Sequence, residues 1–400
     1  MITNRCVDIV VGLAFGSEAK GKLCEHIAGQ YNNGALVRTG SPNAGHYVYS
    51  KDGKKKLAFQ TIPCGSIAAP KAQLVIGAGA MIIPTVLDRE IGWLKEEKVW
   101  DDGRLVIDPN AILIEQKHID AEHGKDGSKD LFEAIGSTRE GCGAALIDRI
   151  KRQGDVTLAK DVSYLKPYIG DTCMILNNMV NNGFPVMLEG TQGMALSMYH
   201  GLYPKTTSRD TNAANWLAEA GLSPMSVRSI YGVMRTYPIR VAGNSGPFGY
   251  EDENVQELTW EEIQTRSGSS KPVIEMTTVT KRVRRVGEIS PKLFRKALAI
   301  NRPGSIMVTF IDYIAAIDYG KNAWEGLSQV SKEWVAKFAA EYDLFDSIGW
   351  LSTGPRPEHI ITMHPGKLRE FAFKSGILSP ESSSKPGYKR DFEPAYQSKY

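Results

Sequence analysis

Short apolar runs recur along this chain and alternate with longer stretches of helical period. VDIVVGLAF (7–15), GALVRTG (34–40), AQLVIGAGAMII (72–83), RLVIDP (104–109), FPVMLEG (184–190), RSIYGVMR (228–235) and GSIMVTFI (304–311) read as buried strands. PTVLDREIGWLKEEK (84–98) and WEGLSQVSKEWVAKFAAEY (324–342) read as helices. The alternation predicts an α/β fold with a large central, mostly parallel sheet flanked by helices. No internal repeat or long linker divides the chain, so residues 1–365 are expected to form a single domain. Residues 366–400, ending in a Pro/Ser/Lys-rich stretch, are expected to form a polar extension.

Composition narrows the class only a little. The chain is 42% hydrophobic and 23% charged, as soluble globular proteins are. A net charge of +3 is too small to argue for nucleic acid or a membrane as partner, so an anionic ligand has to be held by local clusters. The five cysteines are scattered without a CxxC pair, the N-terminus lacks a signal-peptide pattern, and no apolar run reaches membrane-spanning length. A reduced, cytoplasmic protein is the expectation.

The candidate chemistry begins where the first strand ends. Gly16-Ser17-Glu18-Ala19-Lys20-Gly21-Lys22 fits GxxxxGK, with Leu23 where a P-loop has Ser or Thr. A strand feeding a glycine-punctuated turn, a helix N-terminus and two lysines attracts phosphate, although the hydroxyl that usually helps to hold magnesium is missing. The loop TGSPNAGHYV (39–48) offers an amide at Asn43, a carbonyl at Gly45 and an imidazole at His46. A polar segment follows the strand at 188–211, and TTVTKRVRRVGE (277–288) carries Lys281, Arg282, Arg284 and Arg285. Arginine forks suit carboxylates and phosphates. Taken singly, the first also reads as an ordinary strand-to-helix turn with surface lysines, His46 as a structural histidine, 188–211 as a solvated connection and 277–288 as a solvated basic face. HIDAEH (118–123) matches no metal-ligand spacing and reads as a surface helix.

Together the segments resemble the adenylosuccinate synthetase family. GSEAKGK (16–22), NAGH (43–46), IGST (135–138), EGTQG (189–193), KTTSRDT (205–211), VTKRVRR (279–285), VTFID (308–312) and STGP (352–355) stand in family order. The resemblance implies a ligase that joins L-aspartate to a purine nucleotide, with a nucleoside triphosphate first phosphorylating the purine 6-oxygen. It implies Mg2+ and a homodimer. Carried over by motif, Ser17, Lys20, His46 and Gln192 would be catalytic. Lys20 would neutralise the transferring phosphoryl group, Gln192 would bind near the 6-oxygen, and His46 would be a general acid toward the phosphates. Ser17, Asn43, Ala44, Ser137, Thr138, Gln192, Thr207 and Arg282 would hold the purine nucleotide, with Arg152 lent across the dimer. Gly16, Glu18, Ala19, Lys20, Gly21, Lys22, Gly45, His46 and Tyr47 would hold the triphosphate, and Phe310, Asp312, Ser352, Gly354 and Pro355 its base. Val279, Thr280, Arg282 and Arg284 would bind aspartate, and Ser17 with the Gly45 carbonyl would face the metal.

Two departures bear on substrate. The metabolic enzymes have aspartate where Ser17 stands, a residue that takes the N1 proton of hypoxanthine and binds magnesium. Serine is shorter, neutral, and able to donate or accept a hydrogen bond, which makes room for the 2-amino group of guanine. The substitution resembles the bacteriophage branch of the family, which acts on dGMP in diaminopurine DNA synthesis and would place the enzyme in a host cytoplasm. Ser17, a water and a substrate phosphate all qualify to take the guanine N1 proton. Phe310 replaces the lysine of the family's TKxD strand, so ATP or dATP joins GTP as candidate donor. An IMP-using adenylosuccinate synthetase, a non-catalytic nucleotide binder and a GTPase-type switch are the alternatives.

Overall fold

The computed structural model describes residues 4–277 and 281–379. The seven expected apolar runs each supply a strand to one nine-stranded sheet: β1 (Val7–Gly12), β2 (Ala35–Arg38), β3 (Gln73–Ile76), β4 (Leu105–Ile107), β5 (Val186–Glu189), β6 (Val227–Arg235) and β7 (Ser305–Thr309). Two strands that were not expected, β8 (Ile348–Ser352) and β9 (Ile360–Thr362), complete it. Its order is β9-β8-β7-β6-β1-β5-β2-β3-β4. All neighbours pair in parallel except β8 and β9, which are antiparallel. β1, β2 and β5 are buried along their whole length, as central strands covered on both faces must be. Side-chain alternation divides β1 between two cores: Ile9 and Val11 enter one cluster and Val10 the other.

The chain builds outward from β1 to β4, returns to place β5 between β1 and β2, and then builds the other half from β6. Such a reversal leaves a crevice beyond the carboxyl ends of the central strands, where open α/β sheets bind ligands. The loops after β1, β2, β5, β6, β7 and β8 all open at that end.

Three expectations need correction. AQLVIGAGAMII is not one strand: Gly77 and Gly79 bend the chain after Ile76, and Met81–Ile82 pairs with Ile112–Leu113 instead. A side chain at Gly79 would lie 2.4 Å from Glu219, so the bend is packed against its neighbour. HIDAEH lies in a helix, but His118 and Glu122 are buried, and Glu122 accepts hydrogen bonds from the amides of Gly141 (2.9 Å) and Gly143 (2.7 Å). The polar extension does not begin at 366. The helix Lys367–Lys374 buries Leu368 and Ala372 in the main core, while residues 380–400 lie outside the described residues. Among the described residues no helix is long and apolar enough to cross a membrane.

Candidate active site

β1 stops at Gly12, and the turn that follows is wound around one buried carboxylate. Glu18 accepts the amides of Ala14 and Gly16, each at 2.9 Å, and pairs with the Lys20 ammonium at 2.6 Å. Both side chains are shut off from solvent. A Cβ at Gly12 would stand 2.2 Å from the Glu18 carboxylate and 2.8 Å from the Lys20 nitrogen, so only glycine lets the pair form there. Gly16 (φ 88°), Ser17 (φ 55°) and Ala19 (φ 69°) occupy the left-handed region, which curls the turn and aims successive amides to one side. Ala19 precedes α1 (Lys20–Ile27). Glu18 therefore shapes the turn from inside, while Ser17 stands exposed at its tip.

Lys22 points the other way. Its ammonium donates to Ser352 Oγ (2.7 Å) and to the carbonyls of Gly354 (2.6 Å) and His359 (3.0 Å), tying α1 to the STGP loop after β8. Burial pushes its pKa down to about 7, against the opposing charge of Asp312. Beside it, Asp312 is pushed up to about 7 by burial, and its Oδ1 has no hydrogen-bond partner among the described residues. Phe310 (φ 62°) turns the chain after β7; its ring lies 3.9 Å from the Arg235 guanidinium and 5.1 Å from the Tyr313 ring. One flank of Phe310 is thus already occupied by a cation.

The second centre joins the ends of β2 and β5. Arg38 and Glu189, the last residues of those strands, form a buried ion pair. His46 Nδ1 lies 2.7 Å from the same carboxylate, whose other oxygen accepts the Cys64 amide at 2.7 Å. Arg38 also donates to the Ala44 carbonyl and so holds the NAGH loop. Burial would raise the Glu189 pKa, yet Arg38 and His46 hold it at about 2. Burial lowers His46 to about 4 despite its hydrogen bond to Glu189. A neutral His46 donates Nδ1–H to Glu189 and keeps Nε2 as an acceptor. His46, Cys64 and Glu189 bring ligand atoms within 4.8 Å of one another, but a cation there would meet the Arg38 guanidinium.

Between these centres lies a cavity of about 210 Å³. Ser17, Asn43, Ala44, Gly45, His46, Ser137, Thr138, Gln192, Thr207 and Arg284 line it, with Gly16 at its edge. Gln192 (φ 51°) donates to Asn43 Oδ1 at 3.0 Å and accepts from Thr191 Oγ1 at 2.7 Å, which fixes its amide across the NAGH loop. Lys20 lies behind this wall against Glu18, and Tyr47 is covered by the Lys56 ammonium at 4.1 Å. Ser352, Gly354 and Asp312 gather around Lys22, outside the cavity lining, while Phe310 packs on Arg235 and Tyr313 and Pro355 is exposed. Arg152 stands exposed past the end of the helix Cys142–Lys151, away from the cavity. Arg282 stacks on Phe132 at its rim, and Val279 and Thr280 lie outside the described residues.

Arg235, the last residue of β6, connects the parts. Its guanidinium donates to the Ser17 carbonyl at 3.0 Å, pairs with Glu275 and lies over Phe310. Glu275 also accepts from the Tyr313 hydroxyl at 3.0 Å, and its carbonyl accepts the Arg284 amide at 2.9 Å. Sequence reasoning passed over Arg38, Glu189 and Arg235. A signal was there: each is a lone charge closing a buried strand, as ALVR, VMLE and GVMR.

The sequence profile described as adenylosuccinate synthetase matches residues 9–162 and 156–322. This chain belongs to the adenylosuccinate synthetase family. It is therefore a ligase that forms a carbon–nitrogen bond. The adenylosuccinate synthetase of Methanococcus vannielii is 37% identical over 348 residues, spanning 87% of this chain and 96% of that one. That of Methanocaldococcus jannaschii is 36% identical, over 89% and 96%. Among solved structures, the succinoaminodeoxyadenylate synthetase of cyanophage S-2L, bound to dGMP and to dATP as an energy donor, superposes with a TM-score of 0.72. It is 26% identical and covers 94% of this chain and 99% of its own. The adenylosuccinate synthetase of Plasmodium falciparum (TM-score 0.69, 20% identity, 90% and 100% covered) shares the fold.

Proposed function

We propose that this enzyme joins L-aspartate to C6 of dGMP, giving N6-succino-2-amino-2′-deoxyadenylate. The observation that carries the reading is Ser17, a small neutral residue exposed at the wall of the cavity, where the metabolic enzymes carry a carboxylate. A dGMP-binding relative with the same fold supports it. The archaeal relatives favour the second reading, an IMP-using adenylosuccinate synthetase.

In the first step guanine gives up its N1 proton as its 6-oxygen attacks the γ-phosphorus of the donor and the bond to the β-phosphate oxygen breaks. Ser17, a water and a substrate phosphate are the candidate acceptors of that proton. The aspartate amine then adds at C6, and the 6-phosphate leaves as inorganic phosphate. Gln192, pinned to Asn43, presents its amide near the 6-oxygen. Asn43, Thr138 and Thr207 take the 5′-phosphate with Ser137 and Ala44, and Arg152 reaches this site from a second copy in a homodimer. The turn amides and His46 meet the transferring phosphoryl group, with the Lys20 charge behind the turn against Glu18, so catalysis is mainly positioning and electrostatics. Arg282 and Arg284 take the aspartate carboxylates.

Ser17 Oγ and the Gly45 carbonyl are neutral, hard oxygen donors, which suit a Mg2+ held mostly through substrate phosphates. Bound there, the ion would offset the charge of the donor phosphates. Asp312, with its unpartnered oxygen, faces the donor base. With Phe310 in place of the family lysine, ATP or dATP is the donor. The working compartment is the cytoplasm, that of the host if a phage encodes the chain.

The test offers dGMP or IMP with aspartate and Mg2+, and with ATP, dATP or GTP in turn. Turnover of dGMP over IMP is expected. Preference for IMP would sink the dGMP reading, and no turnover of either would leave a nucleotide binder.

A further inference from the structure

Phe132 lies in a single helical turn (Leu131–Ile135), whose Leu131 and Ile135 line the cavity while the phenyl ring is not part of its lining. Asp130 caps this turn through the Phe132 amide at 2.7 Å. Lys205 Nζ holds the Ala134 carbonyl from the opposite wall at 2.6 Å. The phenyl edge is seated against Gly243 (φ 79°), where an added Cβ would stand 2.9 Å from the ring tip. The backbone of the turn is thus held at both ends and the ring is seated on Gly243, yet the residue is only half-buried. What it carries is a pair of guanidinium groups: Arg282 at 3.8 Å and Arg139 at 5.4 Å.

The two cations are not equivalent. Arg139 is paired with Asp130 at 2.6 Å, whereas Arg282 has no carboxylate partner among the described residues. Its backbone is clasped to Thr277, with the amide donating to Thr277 Oγ1 at 2.9 Å and the carbonyl accepting the Thr277 amide at 2.8 Å. A guanidinium stacked by its face keeps its N–H donors free at its edge, as a bidentate carboxylate requires. An arginine on an exposed, otherwise irregular segment would be spread over many rotamers, and the ring removes most of that freedom before substrate arrives.

We propose that Phe132 is a positioning residue for L-aspartate, acting through Arg282: its ring pre-orders the guanidinium and, with it, residues 281–284 at the cavity rim. The assignment of Arg282 to the aspartate carboxylates rests on the function proposed above; the ordering of the segment does not.

The test compares Phe132→Leu, which keeps apolar bulk without the π face, with Phe132→Tyr, which keeps both. Phe132→Leu is expected to raise the KM for aspartate about tenfold, with the KM values of purine nucleotide and donor within about twofold of the parent. Phe132→Tyr restores the parent value. Hydrogen exchange at the Arg282 and Arg284 amides, measured without substrate, is expected to accelerate in Phe132→Leu alone. The proposal is overturned if Phe132→Leu matches the parent in exchange or in aspartate KM, or if Phe132→Tyr is as impaired as Phe132→Leu. If the parent shows no aspartate-dependent turnover, the functional reading falls, while the exchange comparison still decides whether Phe132 orders the segment.

Discussion

Glu189→Gln tests whether the Arg38–Glu189–His46 centre works as a unit. Glutamine keeps the shape and one acceptor for the Cys64 amide, but it leaves the Arg38 guanidinium, 1% exposed, without its counter-charge. Removing one partner of a buried ion pair costs about 3–5 kcal/mol. A clear fall in Tm at pH 7.5 is expected. The difference from the parent should shrink only as pH falls from 4.5 towards 2, where the Glu189 contribution is lost; the fall due to His46 is shared by parent and variant. Glu189, held near 2 in the fold, and His46, held near 4, both have depressed pKa values, so the folded state binds fewer protons than the unfolded one. Their contribution is complete above the ordinary 6.5 of histidine, falls between 6.5 and 4 as His46 must stay uncharged, and falls again between 4.5 and 2 as Glu189 must stay ionised. The His46 gap alone corresponds to about 3 kcal/mol. Catalysis should suffer separately, because the protonated imidazole loses the carboxylate that supports it. A drop of about 10²–10³ in kcat is expected, in line with loss of a general acid. The assays are Tm against pH for Glu189→Gln, Arg38→Gln and the double variant, and steady-state kinetics for the single variants. If the stability losses of the two single changes simply add in the double variant, or if Glu189→Gln keeps parental kcat, the centre does not act as a unit and the reasoning fails.

Ser17→Asp is expected to weaken turnover of dGMP at least tenfold and to improve that of IMP; unchanged dGMP kinetics would refute the steric account of Ser17. Asp312→Asn removes a carboxylate whose folded pKa is raised to about 7, so its charge opposes folding increasingly as pH rises from 3.8 to 7 and fully above that. The variant should therefore gain Tm at pH 8 and little at pH 4, while its KM for the donor rises; a Tm gain independent of pH would show that the charge is not the cause. Lys22→Met cuts the three hydrogen bonds from α1 to the loop after β8 and should raise the donor KM several-fold while leaving the purine KM near the parent value. Equal changes in both would mean that Lys22 supports the fold at large.

Much of this was legible because it is local. Buried parallel strands show as continuous apolar runs, and the turn after β1 announces itself through glycines and lysines. What was not legible depends on which strand lies beside which. Arg38 and Glu189 are 151 residues apart and meet only because β5 returns between β1 and β2. The burial of His118 and Glu122 escaped notice because their partners lie on other segments, Asp148 and the amides of Gly141 and Gly143. The expected break at residue 366 mistook a polar sequence for an unpacked one, although Leu368 and Ala372, four residues apart, already mark one helical face.

The lone charges that close β2, β5 and β6 bear on why the turn after β1 tolerates serine. A carboxylate at position 17 is not what holds that turn in shape. Glu18 gathers its amides from within, and Arg235 grips the Ser17 carbonyl rather than its side chain. The backbone conformation of residue 17 is thus set by groups that do not see the identity of its side chain. The side chain at position 17 can therefore change while the turn amides stay in place. The same arrangement keeps the Phe310 platform and the Arg284 segment in register with Ser17, since one guanidinium–carboxylate pair, Arg235 with Glu275, touches all three.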